Sequence, residues 1–356
     1  MFTKRLLKLL KSPRWIFTII TLLVLVVIIF ISRKELREAW LLLEQASVGL
    51  LLLLIPFQIM VYFANGEMIF SYLRQRMLVK HISRFEQTRI ALELNLVNHI
   101  FPSGGVSGIS YGTWRLHKLG VPTSQSTFAQ VIRYVMGFLA LVVLLIISVL
   151  FLSIDGQINR YIVTASFLLV LAILGLTGLV IFMFSSEARM RKMAEVVAKL
   201  INRLIGFLTF GWQKNILSVE RVTGFFKNMH RDFSDLVADK KLLKKPFIWG
   251  IVSTIFDVGM FMVVFMALGQ SVNPAILIVG FGVAGLAGLV VFTPGGAGAY
   301  ELIMIFLLQF AGVSANTAIA GIILTRAILL AGTIVLGYIF YQHAILKYGK
   351  RSNPAI

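Results

Sequence analysis

The chain has 356 residues, of which 58% are hydrophobic and only 14% are charged, and its formal net charge is +19. Soluble domains are about half apolar and about a quarter charged, and disordered chains have low hydrophobicity, so this composition excludes both classes. The apolar residues form blocks that reach the roughly 20 residues needed to cross a bilayer. The sequence therefore predicts an all-α polytopic membrane protein.

Six of these blocks are predicted to be full transmembrane helices. The first follows a basic N-terminus, and no small-residue cleavage pattern comes after it, so it is interpreted as a retained helix and not as a signal peptide. In chain order the six blocks are Trp15–Ile31, Val48–Phe70, Phe128–Leu152, Tyr161–Phe184, Phe247–Leu268 and Thr317–Tyr341. Two weaker blocks, Ile90–Phe101 and Ala275–Phe292, each run into a Pro-Gly cluster.

The basic residues indicate how these segments are oriented. Of the 34 Lys and Arg residues, 28 lie in the N-terminus, the loop at 74–89, the pair Arg115 and Lys118, the segment 185–246 and the C-terminal tail. The positive-inside rule places all five segments in the cytoplasm. We therefore expect a multi-pass protein of the cytoplasmic (inner) membrane with both termini inside. The positive charge is then a topology signal, and no nucleic-acid partner is expected.

This orientation predicts two re-entrant hairpins. The chain is cytoplasmic before and after Pro102, so the hairpin near 90–112 should enter the membrane from inside and return. The hairpin near 275–312, around Pro294, should enter from the opposite side and return there.

The two hairpins align without a gap at an offset of 192 residues. The matched pairs are Pro102 with Pro294, Gly104 with Gly296, Gly120 with Gly312 and Val121 with Val313. Together with the opposite entry sides, this match favours an inverted-topology repeat, as in many transporters, with a first repeat at 48–152 and a second at 247–341. The alternative is that two Gly-Pro breaks coincide by chance.

The breaks in the hairpins are the predicted binding site. Irregular backbone at membrane depth must be buried in protein or line a watery cavity, and a helix N-terminus beside glycines presents N–H groups that bind anions. The candidate residues are Ser103, Gly104, Gly105, Ser107, Pro294, Gly295, Gly296 and Gly298. The alternative is a tight turn that only packs helices closely.

Ionisable residues in or beside the apolar blocks extend this predicted site. Charges there are costly and usually face a cavity or a partner. Arg133 and Arg326 are nearly equivalent in the two repeats and could hold a phosphate together. Glu301 could orient an arginine or meet a cationic headgroup, and the alternative is a purely structural Glu301–Arg326 pair. Asp257 is the fourth such residue. Polar contacts between helices are expected of four others: Glu93, Asn95, Asn98 and His99.

The sequence offers no catalytic or metal-binding constellation. It contains no cysteine, and its five histidines are scattered without metal-ligand spacing. No cofactor and no metal are therefore expected. The long polar segment 185–246 instead shows the i, i+3, i+4 pattern of two amphipathic helices, which we expect to lie cytoplasmically in the membrane interface and attract anionic lipids. The alternative is a solvated linker. The apolar positions are Met193, Val196, Val197, Leu200, Ile201, Leu204, Ile205 and Leu208, then Val222, Phe225, Phe226, Met229, Phe233 and Leu236.

A family resemblance rests on the second hairpin and the helix after it. The sequence PGGAGAYE, then Gly-Val, then an arginine in the next helix resemble the transmembrane domain of bacterial lysylphosphatidylglycerol synthase/flippases. The matching residues are Pro294, Gly295, Gly296, Gly298, Glu301, Gly312, Val313 and Arg326. NLVNHIFPSGG at 95–105 is similar to the family's first-half motif, with Arg115 and Gly120 after it. The resemblance covers most of the chain.

The resemblance implies flippase-like translocation of a phospholipid or a polyprenyl-phosphate lipid, with membrane lipids, chiefly anionic headgroups, as partners. Family members with an added soluble domain transfer an aminoacyl group from tRNA to phosphatidylglycerol. This chain ends ten residues after Leu346, so we expect that domain to be absent. The alternatives are a lipid aminoacyl transferase, a membrane scaffold for a separately encoded synthase, and a coupled small-solute transporter. A homo-oligomer is also compatible with the sequence.

Overall fold

A computed structural model describes residues 46–349 except 102, 104, 155–159, 209–217, 291–292 and 294–295, together with residues 30, 37, 40, 41, 43 and 44. All regular secondary structure in this part of the chain is helical. The first predicted span, Trp15–Ile31, lies outside the described residues apart from Phe30.

Twelve α-helices lie between Val48 and Tyr348 in the described part of the chain. A short 3-10 helix, Lys240–Leu243, leads into the ninth. The α-helices are α1 Val48–Leu51, α2 Leu54–Gln75, α3 Arg84–Ile100, α4 Val106–His117, α5 Thr123–Ile154, α6 Arg160–Phe184, α7 Glu187–Leu208, α8 Val219–Ala238, α9 Lys244–Ala267, α10 Pro274–Val290, α11 Ala299–Phe310 and α12 Ala315–Tyr348.

Five helical segments are long and apolar enough to cross a membrane. They are Val48–Gln75, Thr123–Ser153, Arg160–Phe184, Lys240–Ala267 and Ala315–Tyr348. Each coincides with a predicted span, and each exceeds the roughly 20 residues that the hydrocarbon core requires. Five of the six predicted spans are thus confirmed as membrane-crossing helices by length and composition, and the chain is a multi-pass membrane protein. Helices α10 and α11 are apolar but shorter.

Side-chain caps explain where several helices begin. The Ser83 hydroxyl accepts a hydrogen bond from the Glu86 N–H at 3.1 Å, at the start of α3. The Ser314 hydroxyl does the same for the Thr317 N–H at 3.2 Å, at the start of α12. A serine in this position satisfies one of the four N–H groups that a helix N-terminus leaves without a partner.

Two sets of four helices have matching lengths. Helices α2 to α5 contain 22, 17, 12 and 32 residues, and α9 to α12 contain 24, 17, 12 and 34. Helices α4 and α11 both begin after a glycine of positive φ, Gly105 at 89° and Gly298 at 87°, a conformation that side chains with a Cβ disfavour. The packing is reciprocal, because α2 contacts α9, α3 contacts α12 and α10 contacts α5.

Helices α7 and α8 pack against each other as a pair beside the spans. Met190, Ala194 and Ala198 of α7 are fully buried. Helix α8 is fastened to the end of α2 by Arg76, whose guanidinium lies 2.7 Å from the Asp235 carboxylate and 3.4 Å from that of Asp232. Burial raises the pKa of the Asp232 carboxyl above its usual value, although the charge of Arg76 opposes this rise.

Candidate functional site

A cavity of about 880 Å³ lies among α2, α3, α9, α10, α11 and α12. This volume falls within the range of small-ligand sites. Most of its wall is apolar, as expected inside membrane-spanning helices. The polar and aromatic hydrogen-bonding residues that line it are Gln58, Tyr62, Asn95, His99, Asp257, Thr293, Tyr300, Glu301, Arg326 and Thr333.

The carboxylate of Glu301 organises one side of the cavity. Its Oε2 accepts a hydrogen bond from the Gly298 N–H at 2.7 Å, and its Oε1 accepts one from Nε of Arg326 at 2.7 Å. The Arg326 guanidinium also lies 4.5 Å from the centre of the Tyr300 ring, a cation–π contact. The side chains of Glu301 and Arg326 stay about one-fifth exposed. The ion pair that the sequence left as an alternative is present, and both partners face the cavity.

Asp257 places a second carboxylate in the cavity wall, in the middle of the apolar helix α9. The Ser253 hydroxyl donates to it at 3.3 Å and in turn accepts a hydrogen bond from the Asn65 amide at 3.0 Å. In the described part of the chain no lysine or arginine forms an ion pair with Asp257. An acid without a cation in a membrane span is a strong indication of a functional role.

A polar contact joins α2 to α12 along another wall of the cavity. The Gln58 amide donates to the Leu329 carbonyl at 3.0 Å and to the Tyr62 hydroxyl at 2.8 Å. The hydroxyls of Tyr62 and Thr333 lie 2.6 Å apart. Hydrogen bonds of this kind hold membrane helices together. This contact therefore connects the two helices beside the site.

The first hairpin, formed by α3 and α4, uses its polar groups internally. The Ser103 hydroxyl accepts a hydrogen bond from the Ser107 N–H at 2.9 Å, and the Asn98 side chain accepts one from the Gly108 N–H at 2.9 Å. The Ser103 hydroxyl also lies 2.7 Å from the Ser107 hydroxyl. Ser103 and Ser107, two of the predicted binding residues, therefore already have hydrogen-bond partners within the hairpin.

The same hairpin contains a buried ionic cluster. The side chains of Arg115 and Glu93 are both fully buried and lie 3.3 Å apart. Arg115 also contacts Glu86 at 3.1 Å, and its guanidinium lies 4.3 Å from the centre of the Tyr348 ring. The Tyr111 hydroxyl donates to Glu93 at 2.9 Å. The charge count assigned Arg115 to a cytoplasmic loop, whereas the structure places it on α4 in the protein interior.

The cavity brings together part of the predicted site. Gly298, Glu301 and Arg326 line it, as do Asn95 and His99, which were expected only to bond neighbouring helices. Five predicted residues are described but do not line it: Ser103, Gly105, Ser107, Arg133 and Gly296. Three more lie outside the described residues: Gly104, Pro294 and Gly295. Binding of a ligand by any of these eleven site residues stays a prediction.

Five polar or aromatic hydrogen-bonding residues of the cavity wall were missed by the sequence analysis: Gln58, Tyr62, Thr293, Tyr300 and Thr333. A usable signal was present for three of them. Gln58 and Tyr62 are four positions apart on α2, and Thr333 follows Arg326 by seven on α12, so each pair shares a helix face. Polar side chains at this spacing inside an apolar block indicate a face turned towards protein.

The helices, the buried charges and the cavity define a multi-pass α-helical membrane protein with a polar site in its interior. Comparison with protein families goes further: the model of the lysylphosphatidylglycerol synthase TM region matches residues 15–337, and the chain belongs to this family. This confirms the resemblance drawn from the hairpin motifs. Neither the curated proteins nor the solved structures contain a significant match to the chain.

Proposed function

We propose that this chain translocates a membrane lipid and that the cavity holds the lipid headgroup during the passage. The observation that carries the proposal is the placement of Asp257, Glu301 and Arg326 in one cavity among apolar spans. A headgroup that crosses a bilayer needs a polar path, since unpaired polar groups in hydrocarbon cost several kcal/mol. Membership of a lipid-related membrane family is consistent with this function.

The charges of the cavity favour a particular headgroup. Its wall contains two carboxylates, Asp257 and Glu301, and one guanidinium, Arg326. A purely anionic headgroup would meet an excess of like charge. A headgroup with both a phosphate and a cationic group fits better, because Arg326 can attract the phosphate and Asp257 the cation. The sequence analysis expected an anionic headgroup, whereas the charges of the cavity favour a headgroup that carries both signs. Of the two expected lipid classes, phospholipids therefore fit the cavity better than polyprenyl-phosphate lipids.

The proposed transport cycle uses the two hairpins. We propose that α3–α4 and α10–α11 are re-entrant hairpins of an inverted repeat that enter from opposite sides, with both termini in the cytoplasm. The matching helix lengths and the positive-φ glycines at the start of α4 and α11 support this proposal. Rocking of one repeat against the other would then expose the cavity to each leaflet in turn.

Reconstitution tests the proposed function. The purified chain in liposomes should move fluorescent acyl-labelled phosphatidylethanolamine between leaflets, and it should move phosphatidylglycerol more slowly. Replacing Arg326 with Ala should slow transport by about tenfold or more, since a charge-assisted contact contributes roughly 1.5–3 kcal/mol. The readout is the fraction of label that dithionite quenches over time.

The matched control is Arg160→Ala. Arg160 is exposed at the start of α6, and among the contacts described for it, its side chain donates only to the adjacent Tyr161 at 3.2 Å. This variant should transport at the rate of the unmodified chain. Equal rates in empty and protein-containing liposomes would contradict the proposed function. Equal losses of transport rate in Arg326→Ala and Arg160→Ala would show that the headgroup does not bind in the cavity.

A coupled small-solute transporter is the second candidate, and Asp257 is the observation that favours it. A carboxylate without an ion-paired lysine or arginine in the described part of the chain could bind a proton or a cation that drives transport. Uptake of a cationic amino acid into liposomes, stimulated by a proton gradient and abolished by Asp257→Asn, would favour this candidate. Lipid movement that is indifferent to the gradient would favour the first.

A further inference from the structure

One face of α7 is exposed and combines basic with aliphatic side chains. Five residues follow one another at helical spacing on the side opposite the buried positions Ala194 and Ala198. They are Lys192, Val196, Lys199, Leu200 and Arg203, and all five are exposed. We call this set the outer face of α7. It contains three cations, two aliphatic side chains and no acid.

The apolar stripe that the sequence predicted for this helix is only partly buried, and the outer face contains two of its exposed residues. Met193 and Val197 of that stripe pack against the buried core. Val196 and Leu200 do not, since they remain 63% and 56% exposed. Two bare aliphatic side chains between three cations form the pattern of a helix that lies in a membrane interface, where apolar groups enter the headgroup region and cations meet phosphates.

The position of α7 in the chain places the outer face near the bilayer. The span α6 ends at Phe184, and α7 begins at Glu187, only three residues later. At the far end of the helix pair, four exposed lysines lie at the start of the next span: Lys240, Lys241, Lys244 and Lys245. Both flanks of the pair are therefore anchored at a membrane surface.

The partner helix α8 presents a different surface. Its exposed residues carry charges of both signs, including Glu220, Lys227, Arg231 and Asp235. A mixed surface of this kind is typical of a helix face turned to water. The contrast between the two helices selects α7 as the one that touches lipid.

We propose that the outer face of α7 binds the surface of an anionic lipid leaflet. Lys192, Lys199 and Arg203 would contact lipid phosphates, and Val196 and Leu200 would enter the interface between them. Juxtamembrane cations gain about fivefold each from an anionic surface. This surface lies outside the cavity, so the chain would recognise the charge of the leaflet independently of the lipid that it moves.

A single-cysteine experiment tests this surface in the full chain. Because the sequence contains no cysteine, Val196→Cys provides a unique site for a spin label. Asn228→Cys, at an exposed position in the middle of α8, is the matched control. Each labelled chain is reconstituted in vesicles of phosphatidylcholine alone and of phosphatidylcholine with phosphatidylglycerol. Accessibility to oxygen, which partitions into lipid, is compared with accessibility to a water-soluble nickel complex.

We expect the label at 196 to shift towards oxygen in the vesicles with phosphatidylglycerol, while the label at 228 stays accessible to nickel in both. Replacing Lys192, Lys199 and Arg203 with Gln should shift the equilibrium of attachment by about a hundredfold and return the label to water. The comparison of lipid compositions needs no variant beyond the label site, so it stands even where the triple variant folds poorly.

Three results would overturn the proposal. A label at 196 that is equally accessible to nickel in both lipids would show that α7 does not touch the membrane. A label that is in lipid under all conditions would show burial without charge recognition. A label protected from both oxygen and nickel would show that protein covers this face.

Discussion

The two hairpins share a backbone plan and place their charges in different surroundings. In the first hairpin, α3–α4, the ion pair of Glu93 and Arg115 is sealed from solvent. In the second, α10–α11, Glu301 and its partner Arg326 face a cavity and keep about one-fifth of their surface exposed. The difference lies in which residues occupy equivalent positions.

At the offset of 192 residues, the position of Glu301 corresponds to Ile109, so the first hairpin lacks the acid that would pair with Arg133. Within the described part of the chain Arg133 forms no ion pair and stacks on Tyr134, with 4.6 Å from its guanidinium to the ring centre. Conversely, the positions that match Glu93 and Arg115 are apolar. The first hairpin thus contains a sealed ion pair, whereas the acid of the second faces the cavity.

The largest expected effect is on the stability of the first hairpin. Arg115→Ala should lower the free energy of unfolding by about 3 kcal/mol, because it removes the fully buried partner of Glu93 and leaves this carboxylate only its ion pair with Arg89 and its hydrogen bond from Tyr111. Arg326→Ala should cost about 1 kcal/mol or less, because Glu301 stays accessible in the cavity. Thermal unfolding in detergent, followed by size-exclusion chromatography, measures both.

The double variant Glu93→Gln with Arg115→Ala is the control for this prediction. It should recover most of the loss, since no charge is left in the fully buried positions, and Arg89 and Glu86, which each lose a partner, keep contact with solvent. If Arg115→Ala and Arg326→Ala unfold at the same temperature, the contrast between a sealed and an accessible ion pair is wrong.

An intermediate effect is expected from two asparagines on α3. Asn98→Ala removes the acceptor of the Gly108 N–H and should lower stability by about 1 kcal/mol, as for the loss of a helix cap. Asn95→Ala changes a residue of the cavity wall and should slow lipid transport while altering stability by only about 0.5 kcal/mol. Melting and transport assays on both variants measure this. If both variants lost the same stability, α3 would not have one face that packs within the hairpin and another that only lines the cavity.

The smallest effect is expected for Arg133. Because this residue does not line the cavity, Arg133→Ala should change the transport rate by no more than about twofold, the scale of a surface substitution. Arg326→Ala, assayed in the same liposomes, supplies the comparison. A loss as large as that of Arg326→Ala would restore the expectation that two equivalent arginines bind the phosphate together.

The spans could be predicted from the sequence because the length of an apolar run is a local property of the chain. The five described spans and both helix breaks follow from apolar runs ended by glycine and proline. Glu301 and Arg326 could also be singled out, since charges in an apolar block are rare. These signals require no knowledge of which helices are neighbours.

The remaining features depend on contacts between distant segments. Nothing in the local sequence shows that Arg115 meets Glu93 and Tyr348, or that Gln58 reaches Leu329 across 271 positions. The positive-inside rule counted Arg115 as a loop charge, because a rule based on composition cannot detect a buried partner. The same holds for the apolar stripe of α7, since its local sequence does not show that Met193 and Val197 pack against the core while Val196 and Leu200 stay exposed.

Helix α12 links the two regions mechanically. It is one unbroken helix of 34 residues that contributes Arg326 and Thr333 to the cavity wall and places Tyr348 against Arg115. Tyr348 follows Arg326 by 22 positions, so this part of α12 is about 33 Å long. A tilt of about 5° around Arg326 would move the far end by about 3 Å, the length of a hydrogen bond. Any closure of the cavity that tilts α12 must therefore also move the first hairpin or break the contact between Tyr348 and Arg115.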